Sequence, residues 1–305
     1  MRTIKLNNGL EIPQIGVGTW TLHGETARHN VRLALEAGFR HIDTAQMYEN
    51  ESEVGQGIAD SGVPRGEIFV TTKVNTSVMR NGRESVRQSI NESLAKLKTD
   101  YIDLLLIHWP VKNCVRDTWQ VMEDYVMQGR VRSIGVSNFN RHHLDDLLTY
   151  ADIRPVINQI EVHPLMTQDE NIAYNRTLGI QVEAWGPFGQ GDIDVIGHPL
   201  LQSLAAKYRK TASQIVLRWI VQQGLITIPR AKPKHFKENM EIMGFSLSDD
   251  DMLAISALNQ NLRSNVQNDP DSFPWYSLWR KSKLLKSRKA SLPKTTKMRI
   301  ICVKN

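Results

Sequence analysis

The chain has 305 residues, 41% hydrophobic and 23% charged, which excludes a disordered chain and allows a large core. Its net charge of +6 is concentrated in residues 280–305, which hold ten Lys or Arg and no acid; residues 1–279 therefore sum to −4. That mildly acidic body argues against nucleic-acid binding, and the two cysteines, Cys114 and Cys302, exclude a disulfide framework.

The opening MRTIKLNNGLEIP has no apolar leader core, and no run reaches the length of a membrane span, so a cytoplasmic location is expected. Thr3–Ile12 alternates around Asn7-Asn8-Gly9 and predicts a β-hairpin. From there strand and helix patterns alternate. Strands are predicted at 15–20, 39–42, 68–73, 101–108, 133–137, 156–161, 180–185 and 225–228. Helices fall between them at 25–37, 51–61, 83–97, 117–128, 141–150, 169–178 and 199–208. A further helix runs from a capping Thr211 or Ser213 to Gln223. Helices at 234–240 and over SLSDDDMLAISAL close the pattern.

Near-continuous apolar strands in eight β/α repeats imply a parallel sheet closed into an α/β (β/α)8 TIM barrel. One domain is expected over 1–279. The aromatic segment Phe273, Trp275, Tyr276 and Trp279 reads as a C-terminal loop over the barrel mouth, and 280–305 as a solvated, poorly ordered basic tail. A barrel puts its chemistry at the carboxyl ends of its strands. Asp43 and Lys73 end the second and third strands, His108 ends the fourth, and Tyr48 follows five positions after Asp43. An unpaired charge or imidazole closing an apolar run is costly, so these four residues point to one shared polar site.

GFRHIDTAQMYENESEVG, VRSIGVSNF, VINQIEVHPL, EAWGPFGQG and ITIPRAKPKHFKEN follow one another in the order of the aldo-keto reductases, and the chain resembles the compact bacterial type of that family from Met1 to about Leu258. The resemblance implies NADPH-dependent reduction of aldehyde or ketone carbonyls, with NADH as the alternative cofactor. Tyr48 is then the proton donor, Lys73 and Asp43 its tuning pair, and His108 the group that orients the carbonyl. Physically, a nearby ammonium is expected to lower the phenol pKa toward the working range.

The same resemblance implies that Ser137, Asn138 and Gln159 hold the nicotinamide carboxamide and that Trp185 stacks under the ring. Gly18, Thr19, Trp20 and Asp43 line the same cleft. Gly186, Phe188, Gly189 and Gln190 then run beside the pyrophosphate, and Glu238 and Asn239 meet the adenine. Arg230, Ala231, Lys232 and His235 form the 2′-phosphate end, where the sequence departs from the family. Ala231 lacks the usual hydroxyl, and His235 stands in place of an Arg. The basic groups between Arg230 and His235 suit a phosphate all the same. No G-x-G-x-x-G opens a helix, so a Rossmann fingerprint is absent.

Trp20, Met47 and Trp109 would flank a small carbonyl substrate: an aldehyde, a dicarbonyl or a keto-sugar. By inheritance from the family the protein is expected to be monomeric; no metal is expected, and neither membrane nor nucleic-acid partners. Three other readings compete. His41-x-Asp43 and Glu161-x-His163 place ligand pairs on one strand face and, with His108, would suit a metal-dependent hydrolase. A non-catalytic dinucleotide-binding redox sensor would use the same fold. An RNA-binding tail would show as strongly salt-sensitive retention.

Overall fold

The computed structural model describes residues 2–230 and 232–273. Ala231, Trp275, Tyr276, Trp279 and the basic tail at 280–305 lie outside the described residues. The predicted hairpin forms from β1 (Thr3–Lys5) and β2 (Glu11–Pro13) around a left-handed Gly9. It caps the amino end of the barrel. Leu6 and Ile12 are buried against Phe69, Leu104, Leu106 and Ile226, and Asn7 donates to the carbonyls of Pro155 and Gly179.

Eight parallel strands follow: β3 (Val17–Gly18), β4 (His41–Asp43), β5 (Phe69–Val74), β6 (Leu104–Ile107), β7 (Ile134–Ser137), β8 (Ile157–Glu161), β9 (Gln181–Trp185) and β10 (Ile226–Thr227). A parallel bridge between Ile15 and Thr227 joins the last strand to the first, so the sheet closes into the expected (β/α)8 barrel. Gly16 N–H donates to Thr227 O at 2.9 Å and Thr227 N–H to Gln14 O at 3.0 Å across this seam.

The helices are α1 (Gly24–Glu36), α2 (Glu51–Asp60), α3 (Thr76–Met79), α4 (Arg83–Lys96), α5 (Val115–Met127), α6 (Arg141–Leu148), α7 (Asp169–Thr177), α8 (Pro199–Tyr208), α9 (Ala212–Gln222), α10 (Phe236–Met240) and α11 (Asp249–Ser256). The helix beginning near residue 211 is α9, where Thr211 and Gln214 form a capping box. Ser248 caps α11, and three aspartates in its first turn complement the helix dipole. The strands are shorter than the apolar runs predicted, because several run ends leave the ladder as loops. The short α3 had no counterpart in the sequence reading. The region predicted as a helix at 234–240 begins as a 3-10 turn, Pro233–His235, before α10.

Register decides which side chains enter the barrel. Asp43 sits opposite Thr71, Lys73 opposite Leu106, Ser137 opposite Gln159, and Gln159 opposite Glu183. Alternate residues share a face, so His41, Asp43, Thr71, Lys73, Gln159 and Glu183 all belong to the inner face. All of them are buried. Large apolar side chains, Trp119 and Trp219 among them, fill the layer between barrel and helices.

The C-terminal segment returns over the carboxyl-end mouth. Leu262 N–H donates to Leu165 O, Ser264 N–H donates to the Glu161 carboxylate at 2.7 Å, and Phe273 stacks on Trp109 at 3.9 Å between ring centres. The loop expected over the mouth is therefore present, with Phe273 as its described aromatic.

Gln14 is buried at the seam and donates to Val221 O at 2.8 Å and Leu225 O at 3.0 Å. Gln14→Ala removes both bonds, leaving Val221 O with the Gly224 N–H alone, and is expected to destabilise the fold by about 1–3 kcal/mol. The check is a lower urea midpoint with an unchanged slope.

Candidate active site

Lys73 is fully buried, and its ammonium donates to both oxygens of Asp43 at 2.7 Å and to Thr44 O at 2.9 Å. The Tyr48 hydroxyl lies 3.4 Å away, at the end of a 3-10 turn, Gln46–Tyr48, that hangs from the end of β4. That turn is held from behind: Gln46 bonds to Ser89 and Ser93 of α4 and accepts from the Asn75 N–H. Asn50 fixes the next turn through Thr19 O, Leu22 O and the Thr44 hydroxyl. The His108 ring meets the Tyr48 ring edge-on at 5.6 Å. Asp43, Tyr48, Lys73 and His108 thus converge, as the sequence predicts.

Burial disfavours the Lys73 ammonium, but Asp43 and Tyr48 together hold its pKa above the ordinary value. The Tyr48 phenol corrects an expectation. Burial pushes its pKa up, the Lys73 charge opposes this, and Asp43 adds to the rise, so the net shift is upward. Desolvation of a phenolate outweighs a single ammonium at 3.4 Å. Burial and Lys73 hold His108 well below the ordinary histidine pKa, leaving it a neutral imidazole with one N–H to give.

A second group adjoins the first. Ser137 donates to Gln159 O at 2.9 Å. Asn138 donates to Ser137 Oγ and to His108 O, and accepts from Trp185 Nε1 at 2.9 Å. Asn138 holds a left-handed backbone, φ 63°, directly after β7, a strained position typical of functional sites. Thr19 is buried with its hydroxyl spent on Asp43 O, so its part in the cleft is to anchor that strand end. At Gly18 a side chain would meet Ile228 O at 2.9 Å, so the strand packs directly on the segment leading to Arg230.

Gly186 and Gly189 have positive φ, and Gln190 shares that conformation, so the chain after Trp185 presents backbone groups. The Phe188 ring is half-buried and packs on the core. Arg230, Lys232 and Lys234 are exposed, and Arg230 bonds the Thr21 hydroxyl. His235 is engaged with Glu238 at 3.0 Å, while Asn239 is buried. On the substrate side Trp20 is exposed, Met47 half-buried and Trp109 buried beneath Phe273.

Sequence reasoning missed Glu183. It lies 2.7 Å from the Gln159 amide nitrogen, which also donates to Asp43 at 2.8 Å. The only signal was an acid in the middle of IQVEAW. The metal-hydrolase arrangement does not form: no three of His41, Asp43, His108, Glu161 and His163 bring ligand atoms together. Among the described residues that grouping occurs at His142, His143 and Asp271. There His143 Nδ1 accepts the Asn140 N–H, which puts the ring proton on Nε2, facing Asp271. Neither nitrogen is then left for a metal, and the cluster serves to tie the C-terminal segment to α6.

A parallel barrel with a Tyr-Lys-Asp-His group at its carboxyl end, beside a Trp and an amide cluster, is the arrangement that the resemblance implies for a nicotinamide-dependent oxidoreductase of the barrel class. The chain matches the aldo/keto reductase family over residues 14–195 and belongs to it. It is 44% identical over 271 residues to the glyoxal reductase of Bacillus subtilis, covering 88% of this chain and 96% of that one. It is 41% identical over 273 residues to methylglyoxal reductase DkgA of Escherichia coli, covering 88% and 97%. A solved Bombyx mori aldo-keto reductase in complex with NADP superposes with a TM-score of 0.82 at 39% identity, covering 90% of this chain and 98% of that one. No helix among the described residues is long and apolar enough to cross a membrane.

Removing one member of a buried ion pair leaves the other charge uncompensated. Asp43→Asn is therefore expected to cost about 3–5 kcal/mol in stability. Denaturant unfolding checks it; a loss under 1 kcal/mol would mean that Lys73 finds another counter-charge.

Proposed function

We propose that this protein reduces aldehyde and ketone carbonyls to alcohols with NADPH, that Tyr48 gives the proton, and that small dicarbonyls are its best substrates. The observation that carries the reading is the 3.4 Å approach of a buried, Asp43-paired ammonium to the Tyr48 hydroxyl, with a neutral imidazole facing the same phenol.

The residues present fit a nicotinamide dinucleotide. With two carboxyl groups as neighbours, the Gln159 amide nitrogen must face them, so its oxygen is left for a carboxamide N–H. The half-buried Trp185, steadied through Nε1 by Asn138, offers its ring for stacking. The backbone N–H groups of Phe188 and Gln190 would be available to phosphate oxygens, while Gly189 gives its own to Gly186 O, and exposed Arg230, Lys232 and Lys234 suit a 2′-phosphate. When bound, the cofactor supplies a hydride from its nicotinamide C4.

The protein's own part is orientation and proton supply. His108 donates its single N–H to the carbonyl oxygen, where negative charge grows. Tyr48 is fully protonated at neutral pH because its pKa is raised, so the donor is always loaded. As its proton leaves for the same oxygen, the Lys73 ammonium stabilises the phenolate that forms. Asp43 keeps that ammonium in place.

The substrate class rests on the aromatic wall made by Trp109 stacked with Phe273, and on the glyoxal and methylglyoxal reductases among the relatives. We read the chain as a monomeric cytoplasmic enzyme with one domain over 1–279, acting on small molecules. A redox sensor on this fold would have no use for a proton donor held beside a buried cation.

Two measurements test this. Tyr48→Phe should lose roughly 100- to 10,000-fold in kcat on methylglyoxal, monitored by NADPH oxidation, and retain NADPH binding by fluorescence. Unchanged turnover would end the Tyr48 assignment, and a wild type that binds NADPH but turns over no carbonyl would favour the sensor. Separately, KM for NADPH should lie below KM for NADH, and Arg230→Ala should narrow the gap; NADH equal or better in the wild type would end the NADPH preference.

A further inference from the structure

Behind Asp43 the barrel holds a second carboxyl group that the scheme above leaves without a task. Glu183, central in β9, is fully buried. Its Oε2 accepts from Gln159 Nε2 at 2.7 Å, and its Oε1 has no hydrogen-bond partner. From β4, His41 and Asp43 face it, with His41 Nε2 3.6 Å from Oε1. Lys73 from β5 and Tyr48 beyond β4 act on it, or it on them, through space. From β8 comes Gln159. The residue beside it in β10 is Ile226, which brings no charge.

Two carboxyl groups, Asp43 and Glu183, share one cation here, Lys73. Asp43 takes the cation in full, with 2.7 Å contacts from Lys73 to both oxygens. Glu183 is left with one amide donor and an imidazole that Lys73 and burial hold neutral, its pKa pushed down to about 3. A wholly buried carboxylate so poorly compensated is costly, whereas a carboxylic acid there is not. The bare Oε1 is what an uncharged group tolerates.

We propose that Glu183 is a positioning residue of the catalytic network: it stays protonated in the working enzyme and, through Gln159, fixes both the Asp43 carboxylate and the oxygen that Gln159 turns toward the nicotinamide. The assignment rests on the reductase reading for its role in catalysis, but not for the protonation itself. Burial, then the neighbouring Asp43 charge, push the Glu183 carboxyl up to about 8. Above that pH a second negative charge enters the barrel, and it raises the Tyr48 phenol further. The proton donor weakens, so carbonyl reduction should fall on the alkaline side.

Glu183→Gln keeps the shape and makes the neutral state permanent; Glu183→Met removes the titration as well should the amide variant fail to fold. In kcat/KM against pH with NADPH and methylglyoxal, the wild type should fall with a midpoint near 8, and the variant's fall should begin at least one unit higher. At pH 9 the variant should then keep about tenfold more of its pH 6.5 rate than the wild type does. Infrared difference spectra of the wild type between pH 6 and pH 10 should show a carboxylic-acid C=O stretch that disappears with the same midpoint and is missing from the variant. Glu51, also buried with its carboxyl pushed up by burial, is controlled by Glu51→Gln, which should retain the band. An alkaline limb that does not move, or the lack of a Glu183-dependent band, overturns the proposal and leaves the reductase reading standing. A normal band with no turnover on any carbonyl sinks the reductase reading and, with it, the catalytic role.

Discussion

A primary ammonium with no exposure to water governs the carboxyl end of this barrel. Lys73 is among the largest fully buried side chains of the protein, and a charge in such a place survives only if it is paired and hydrogen-bonded. Register supplies the pair. Asp43 lies opposite Thr71, two residues before Lys73 on the same inner face, so the carboxylate reaches the ammonium without distortion of either strand. The loop carbonyl of Thr44 takes a further proton of the ammonium. What remains of the cation's field is directed at Tyr48. The strand ends and the turn after β4 that carries Tyr48 are therefore arranged around one buried charge that needs compensation.

Competition between burial and charge sets the character of the site. The simplest electrostatic expectation, a phenol acidified by a neighbouring ammonium, fails here because desolvation acts on the phenolate more strongly than Lys73 does. The outcome suits a proton donor. On the proposed reading, a phenol that stays protonated would be loaded at every turnover, and Lys73 would act when a phenolate forms. His108 follows the same logic from the other side. Burial beside a cation keeps it neutral, and a neutral imidazole can give a hydrogen bond to a carbonyl without adding a second charge to a crowded interior.

Much of this was legible in the sequence. Apolar runs of strand length, each ending in a polar residue, placed Asp43, Lys73 and His108 at the barrel mouth before any coordinate, and the motifs around Ser137, Gln159 and Trp185 completed the cleft. Strand lengths were not legible, because an apolar run continues past the last ladder bond. Glu183 was not legible either. One acid in IQVEAW reads as a surface position on a strand, and only the pairing of Glu183 with Gln159 turns it inward. Phe273 was recognisable as part of an aromatic loop, but its stacking on Trp109 depends on where the segment crosses the mouth. That crossing is fixed by Leu165, Glu161 and the histidines of α6.

The amide of Gln159 ties these observations together. Both of its N–H bonds go inward, one to Asp43 and one to Glu183, so its oxygen is left to accept from another group. One residue thereby ties the two buried carboxyl groups together and holds the carboxylate that pairs with the Lys73 ammonium. A hydrogen bond accepted by the Gln159 oxygen would polarise both N–H bonds and strengthen the grip on Asp43. Hydrogen-bonding capacity requires this coupling: an amide nitrogen has two protons, two buried carboxyl groups claim them, and the orientation of the remaining acceptor follows.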